Sequence, residues 1–155
     1  MAVTEGKAAP LFTLKDQAGE KVALKDFKGK DVIVYFYPKD DTPGCTKEAC
    51  NFRDNWDAFQ KAGIVVLGVS PDDQASHQEF IDKYQLPFTL LSDPDRKVME
   101  KYGAWGEKMM YGKKTIGVIR STVWVGPDGK VVKHWRKVPR AADHPEKILQ
   151  AMKLA

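Results

Sequence analysis

Two apolar runs dominate the pattern. Asp31 to Tyr37 is a β-branched and aromatic stretch that stops at Pro38, and Ile64 to Ser70 is a second. Continuous apolar runs of this length, bounded by turn residues, predict strands covered on both faces. Between them the apolar positions change period. Cys45, Ala49, Phe52, Trp56 and Phe59 follow one another at steps of 4, 3, 4 and 3, which is one stripe of a helix that closes at Gly63. Strand, helix, strand makes a crossover unit with its two strands parallel.

The flanking segments complete an α/β pattern. Leu11 to Leu14 and Lys21 to Leu24 surround Asp16 to Gly19 and predict an N-terminal hairpin. A helix is expected over 74–84 with Phe80, Ile81 and Tyr84 inward, then a short strand over 88–91 and a helix over 94–102. Residues 103–117 hold four glycines and read as loop. Ser121 to Val125 and Lys130 to Trp135 flank a Gly-Pro-Asp-Gly turn, a second hairpin. A last helix is expected over 145–154, with Ile148, Leu149 and Met152 inward. The expected class is a mixed sheet with helices on both faces.

Composition narrows the setting. At 155 residues with no repeat or linker, residues 1–155 are expected to form a single domain. Hydrophobic residues at 43% and charged residues at 30% argue against disorder. No apolar run reaches the ~18 residues of a membrane span, and the first ten residues lack the apolar core of a signal peptide. A cytoplasmic location is the expectation. The net charge of +4 is scattered. Its densest cluster, Lys133 to Lys137 with Arg140, reads as a solvated strand face rather than a nucleic-acid site. Two cysteines, Cys45 and Cys50, are too few for a disulfide scaffold and point to redox chemistry or ligation.

The chemistry concentrates in the segment from Pro38 to Cys50. It follows a central strand and opens a helix, where sites of open α/β sheets cluster. Thr42 before Pro43 predicts an N-cap followed by proline at the first helical position. Cys45 is then the third helical residue, and the Thr42 hydroxyl is expected to accept from its backbone N–H. The free N–H groups and dipole of the first turn favour an anion there, and cysteines so placed ionise readily. Cys50 lies five residues on, about 140° around the helix and with its Cα roughly 8.7 Å from that of Cys45. A disulfide needs roughly 4.4 to 6.8 Å. The two thiols therefore cannot bond unless the first turns unwind.

Pro38, Thr42 and Cys45 form the pattern Pro-x-x-x-Thr-x-x-Cys, and the string FYPKDDTPGCTKEACNFRD surrounds it. Both resemble the peroxiredoxins, and the string resembles their bacterioferritin-comigratory-protein (PrxQ-type) branch. The likeness runs through Gly6 to Pro10, Gly68 to Ser70, Leu91 to Asp93 and Gly117 to Thr122. It implies a thioredoxin-like fold and a thiol peroxidase for hydrogen peroxide and alkyl hydroperoxides, needing no cofactor. It further implies that Cys45 attacks the peroxide, Arg120 holds thiolate and peroxide, and Thr42 bonds the peroxide. By the same likeness Pro38 would shield the pocket, Glu48 would orient Arg120, and Cys50 would resolve the sulfenic acid as an intrachain disulfide reduced by thioredoxin or a related dithiol. This branch is often monomeric, so a monomer is expected.

Three rival readings stand beside this one. A thiol–disulfide oxidoreductase usually has Cys-x-x-Cys and a proline before its late strand; here four residues intervene, and Gly117 to Thr122 contains no proline. A metal module would need His77, His134 or His144, none paired at ligand spacing, and His77 and His144 read as exposed. A redox sensor would use the same thiolate without turnover. Met109, Met110 and Tyr111 read as a pocket rim.

Overall fold

The computed structural model describes residues 3–153 apart from Tyr111, with the side chain of Met110 also outside the description. The N-terminal hairpin pairs β1 (Thr13–Asp16) with β2 (Lys21–Ala23). Next come β3 (Val32–Phe36), α1 (Pro43–Asp54), α2 (Trp56–Lys61) and β4 (Val65–Ser70). Then α3 (Gln74–Tyr84), β5 (Thr89–Ser92) and α4 (Lys97–Lys101) follow. The chain finishes with β6 (Trp105–Met110), β7 (Lys113–Val118), β8 (Ser121–Val125), β9 (Val131–Trp135) and α5 (His144–Ala151).

Seven strands form one sheet in the order β2-β1-β5-β4-β3-β8-β9. β3, β4 and β5 run parallel, while β8 lies antiparallel against β3. Side chains alternate between two cores, as the period of a strand requires. Ile33 and Tyr35 face α1, α3 and α5, whereas Val32, Val34 and Phe36 face the α4 side. All five are essentially inaccessible, which is why Asp31 to Tyr37 reads as continuously apolar. Gly68 on β4 is required by close packing: a Cβ there would come within 2.8 Å of Tyr35 Cζ and 2.7 Å of Leu90. Among the described residues, no helix is long and apolar enough to cross a membrane.

Four expectations need correction. The helix expected to run unbroken to Gly63 is two helices. Asn55 takes non-helical angles, and its side-chain amide donates to Asn51 O at 2.9 Å, ending α1 before Trp56. The helix expected from Pro94 begins only at Lys97. Arg96 sits at φ 61°, and Asp93 accepts from Met99 N, so Pro94 and Asp95 belong to a turn. Residues 103–117 are largely not loop. β6 and β7 form their own two-stranded antiparallel ribbon, with Gly106 opposite Gly117. The last helix ends at Ala151, and Leu154 falls outside the described residues.

Candidate active site

The sheet register brings distant segments to one end. β8 starts where β3 ends, with Phe36 opposite Ser121. Arg120, just before β8, therefore meets the segment that follows β3. That segment turns through Pro38 to Asp41, where Asp41 adopts φ 57°, and enters α1 at Pro43 with Thr42 as N-cap. Thr46 N donates to Thr42 O at 2.8 Å, the first helical bond.

Cys45 lies in the first turn of α1 and is 1% exposed. Arg120 Nη2 donates to its Sγ at 3.1 Å, and Arg120 Nη1 donates to Glu48 Oε1 at 2.8 Å. One guanidinium thus holds the sulfur and a buried carboxylate together, with its own side chain 18% exposed. Hydrogen bonds from a charged donor are roughly twice as strong as neutral ones, and they favour the ionised form of an acidic acceptor. Gly44 leaves the guanidinium its room, since a Cβ there would sit 3.3 Å from Nη2. A cleft of about 460 Å³ leads to this point. Pro38, Met109, Ile119, Arg120 and Val138 line it.

Residues 5–134 match the AhpC/TSA family. The chain belongs to this family and is a peroxiredoxin. Peroxiredoxin Bcp of Bacillus subtilis is 45% identical over 153 residues, 99% of this chain and 97% of that protein. Peroxiredoxin Bcp of Escherichia coli is 46% identical over 148 residues, 96% and 94% of the two chains. The Xanthomonas campestris bacterioferritin comigratory protein, whose structure was solved to study alkyl peroxide reduction, aligns with a TM-score of 0.85 at 40% identity. It covers 92% of this chain and 90% of its own. A cysteine-to-serine mutant of PrxQ from Xylella fastidiosa aligns with a TM-score of 0.90 at 32% identity over 99% and 97%.

In this peroxiredoxin Pro38 and Arg120 line one cleft, Arg120 reaches both Cys45 and Glu48, and Thr42 is the N-cap of the helix that carries Cys45. Cys50 stands apart on the same helix, half-buried, and both cysteines are free thiols. Partial burial pushes the Cys50 thiol up, with Arg53 opposing the shift. Cys50 is therefore protonated at neutral pH. Thr42 departs from expectation in one respect. Its hydroxyl makes no cap bond to Cys45 N and instead donates to Lys39 O at 2.9 Å. The tight turn before Pro43 brings that carbonyl within reach and wins the hydroxyl.

Glu48 is fully buried, not a surface charge. Its Oε2 has no partner among the described residues. Burial pushes its carboxyl up to about 7, while the charge of Arg120 and then their hydrogen bond pull it down. The folded value lies above the ordinary 4.5, so ionisation of Glu48 opposes folding. The penalty is absent below pH 4.5, accrues between 4.5 and about 7, and stays constant above. Thermal melts should show the parent protein losing up to roughly 3 kcal/mol across that window relative to Glu48→Gln. Parallel curves would contradict this. The same variant should lose any contribution of this carboxylate to the acid limb of the peroxide rate.

Both histidines expected at the surface are buried. His77 is wholly inaccessible, with Nδ1 2.7 Å from Asp40 Oδ2 and Nε2 2.9 Å from Leu91 O. His144 packs edge-on against Trp135 and bonds Thr122 Oγ1 at 2.9 Å. Burial lowers its pKa to about 4, leaving it neutral. Among the described residues, the one group with metal-ligand spacing is Asp40, Asp72 and His77. It contains neither cysteine, and both His77 nitrogens already face protein partners. Met109 lines the cleft and is 65% exposed, a rim position. Met110 and Tyr111 lie outside the described side chains.

Sequence reading missed Asp40 as a structural centre. Asp41 was also passed over. Lys83 Nζ and Tyr84 Oη donate to it at 2.8 and 2.7 Å and hold its carboxyl below the usual carboxylate range. An acidic pair directly before a Thr-Pro helix start is the local signal that marks them.

Proposed function

We propose that this peroxiredoxin reduces hydrogen peroxide and organic hydroperoxides through Cys45. The observation that carries the reading is the 3.1 Å bond from Arg120 Nη2 to Cys45 Sγ in the first turn of a helix, at the end of a cleft. The thiolate sulfur attacks one peroxide oxygen. The O–O bond breaks, the attacked oxygen stays on sulfur as sulfenic acid, and the other leaves and takes a proton to become water or an alcohol. Arg120 stabilises the thiolate and the charge spreading onto the leaving oxygen, and Glu48 aims Arg120. Thr42 accepts from the peroxide O–H, and Pro38 keeps water off the sulfur. The apolar wall of Met109, Ile119 and Val138 suits the organic part of a hydroperoxide.

The sulfenic acid then condenses with the Cys50 thiol, releasing water and forming an intrachain disulfide. Both cysteines lie in one unbroken helix, so its first turns unwind to let the sulfurs meet. Thioredoxin or a related dithiol reduces the bond by exchange, and its own thiols become the disulfide. An intrachain bond requires no second subunit, so the protein works as a monomer. A single domain over residues 1–155 carries the whole cycle. The reading places it in the cytoplasm, with no nucleic-acid or membrane partner and no cofactor.

The test is peroxide-dependent NADPH consumption with thioredoxin and thioredoxin reductase. Cys50→Ser should drop steady turnover by at least about tenfold while the first equivalent of peroxide still oxidises Cys45 at the parent rate. Undiminished turnover in Cys50→Ser would remove it from the cycle.

A further inference from the structure

One peptide unit connects a residue outside the site to the reacting groups. Asp40 N–H donates to Asp72 Oδ2 at 2.7 Å. The carbonyl of the same peptide, Lys39 O, accepts the Thr42 hydroxyl at 2.9 Å. The peptide is trans and planar, so its N–H and C=O point in opposite directions. Holding one end orients the other.

Asp72 is itself well held. Ser70 Oγ donates to its Oδ2 at 2.7 Å, and its own N–H donates to Ser70 Oγ at 3.2 Å. Ser70 is buried at the end of β4. The Asp40 side chain secures the same unit, bonding Tyr37 Oη at 2.5 Å, Ser76 Oγ at 2.8 Å and His77 Nδ1 at 2.7 Å. The loop is thereby tied to the end of β4 and to α3.

A threonine hydroxyl has one proton and two lone pairs. With the proton committed to Lys39 O, Thr42 offers an incoming hydroperoxide only acceptor lone pairs. A hydroperoxide O–H is a donor and meets them correctly. If the peptide rotated, the hydroxyl would be released to donate. Donation to the peroxide would then bind it in the wrong sense.

We propose that Asp72 is a positioning residue for the peroxide step, orienting the Lys39–Asp40 peptide so that the Thr42 hydroxyl stays an acceptor. The inference rests on the reading of Cys45 and Thr42 given above. Asp72 touches neither the sulfur nor the peroxide.

The experiment compares two rates on reduced protein in a Cys50→Ser background. One is oxidation of Cys45 by hydrogen peroxide. The other is its alkylation by iodoacetamide, which has no hydroxyl to orient. Asp72→Ala should slow the peroxide rate by about tenfold, the scale of one misdirected hydrogen bond in the transition state, and alter alkylation by less than about threefold. Asp72→Asn keeps an amide oxygen to accept from Asp40 N–H and should recover most of the lost rate. Adding Asp72→Ala to Thr42→Val should cost nothing further, because both act through one hydroxyl. A parent-like peroxide rate in Asp72→Ala would overturn the proposal. So would equal loss of both rates, or effects that multiply in the double variant. If the parent Cys45 does not react with peroxide at all, the underlying assignment fails instead, and that is seen before any Asp72 variant is made.

Discussion

Replacing Cys45 by serine abolishes peroxide consumption and leaves the fold intact. The substitution exchanges sulfur for oxygen at a site that is 1% exposed, with Arg120 Nη2 aimed at the atom exchanged. A serine oxygen still accepts that bond, so Arg120 and Glu48 keep their 2.8 Å pairing. The chemistry does not survive. At neutral pH the hydroxyl is un-ionised, no base in the site is placed to activate it, and alkoxide-level nucleophilicity is out of reach. The expected loss is more than about a thousandfold, down to the uncatalysed rate. Thermal melting should shift by no more than a few degrees, since the side chain loses little volume and no partner. Full turnover in Cys45→Ser would place the chemistry elsewhere.

Arg120→Met separates electrostatics from shape. Methionine fills much of the space but brings no charge and no donor. Cys45 Sγ loses its charged hydrogen bond, and the developing charge on the leaving oxygen loses its stabiliser. Loss of one such donor costs about 10²- to 10³-fold in other enzymes, and the same range is expected here for the peroxide rate. Breaking a buried ion pair from one side also destabilises, by about 3–5 kcal/mol where the remaining charge stays ionised. Glu48 has an escape: its carboxyl already sits at about 7, and removing the cation raises it further, so it takes a proton instead. Arg120→Met combined with Glu48→Gln should therefore regain stability and no activity. Arg120→Lys should fall between, because a single ammonium cannot match a fork that reaches Cys45 and Glu48 with separate nitrogens. A Met variant that reacts at the parent rate would remove Arg120 from the chemistry.

What could be read from the sequence follows the range of the interactions involved. Thr42 and Pro43 mark the start of α1 because capping is a local matter, and the structure begins that helix at Pro43. Val32 to Phe36 read as a buried strand because both faces are covered, which forces an apolar run. The ribbon over 105–118 was hidden because its strands pair only with each other. With solvent around it, Glu107, Lys113 and Lys114 interrupt any alternation, and Gly106 and Gly117 resemble loop. His77 and His144 read as surface residues because their partners, Asp40, Leu91 and Thr122, are 37, 14 and 22 positions away. Arg120 lies 75 positions from Cys45. Only the antiparallel register of β3 and β8 joins them, and no local pattern distinguishes Arg120 from the other arginines; family resemblance picked it out. The Thr42 hydroxyl differs from expectation because two bonding choices within one turn are both locally sound, and the turn at Asp41 brings Lys39 O within reach.

In the proposed cycle, Cys45 and Cys50 can close their disulfide only if the helix that carries both unwinds. In the reduced protein α1 runs unbroken from Pro43 to Asp54. Phe52 anchors its later half, with its ring 4.7 Å from that of Tyr35 and 5.6 Å from that of Phe88. The unwinding therefore falls on the turns before Phe52. Amide hydrogen exchange over residues 43–52, compared between the reduced protein and protein oxidised by one equivalent of peroxide, reads this directly. Protection around Cys45 to Cys50 should be lost on oxidation while the strands of the central sheet keep theirs. Equal protection of residues 43–52 in the two forms, with the Cys45–Cys50 disulfide confirmed by peptide mass, would contradict it.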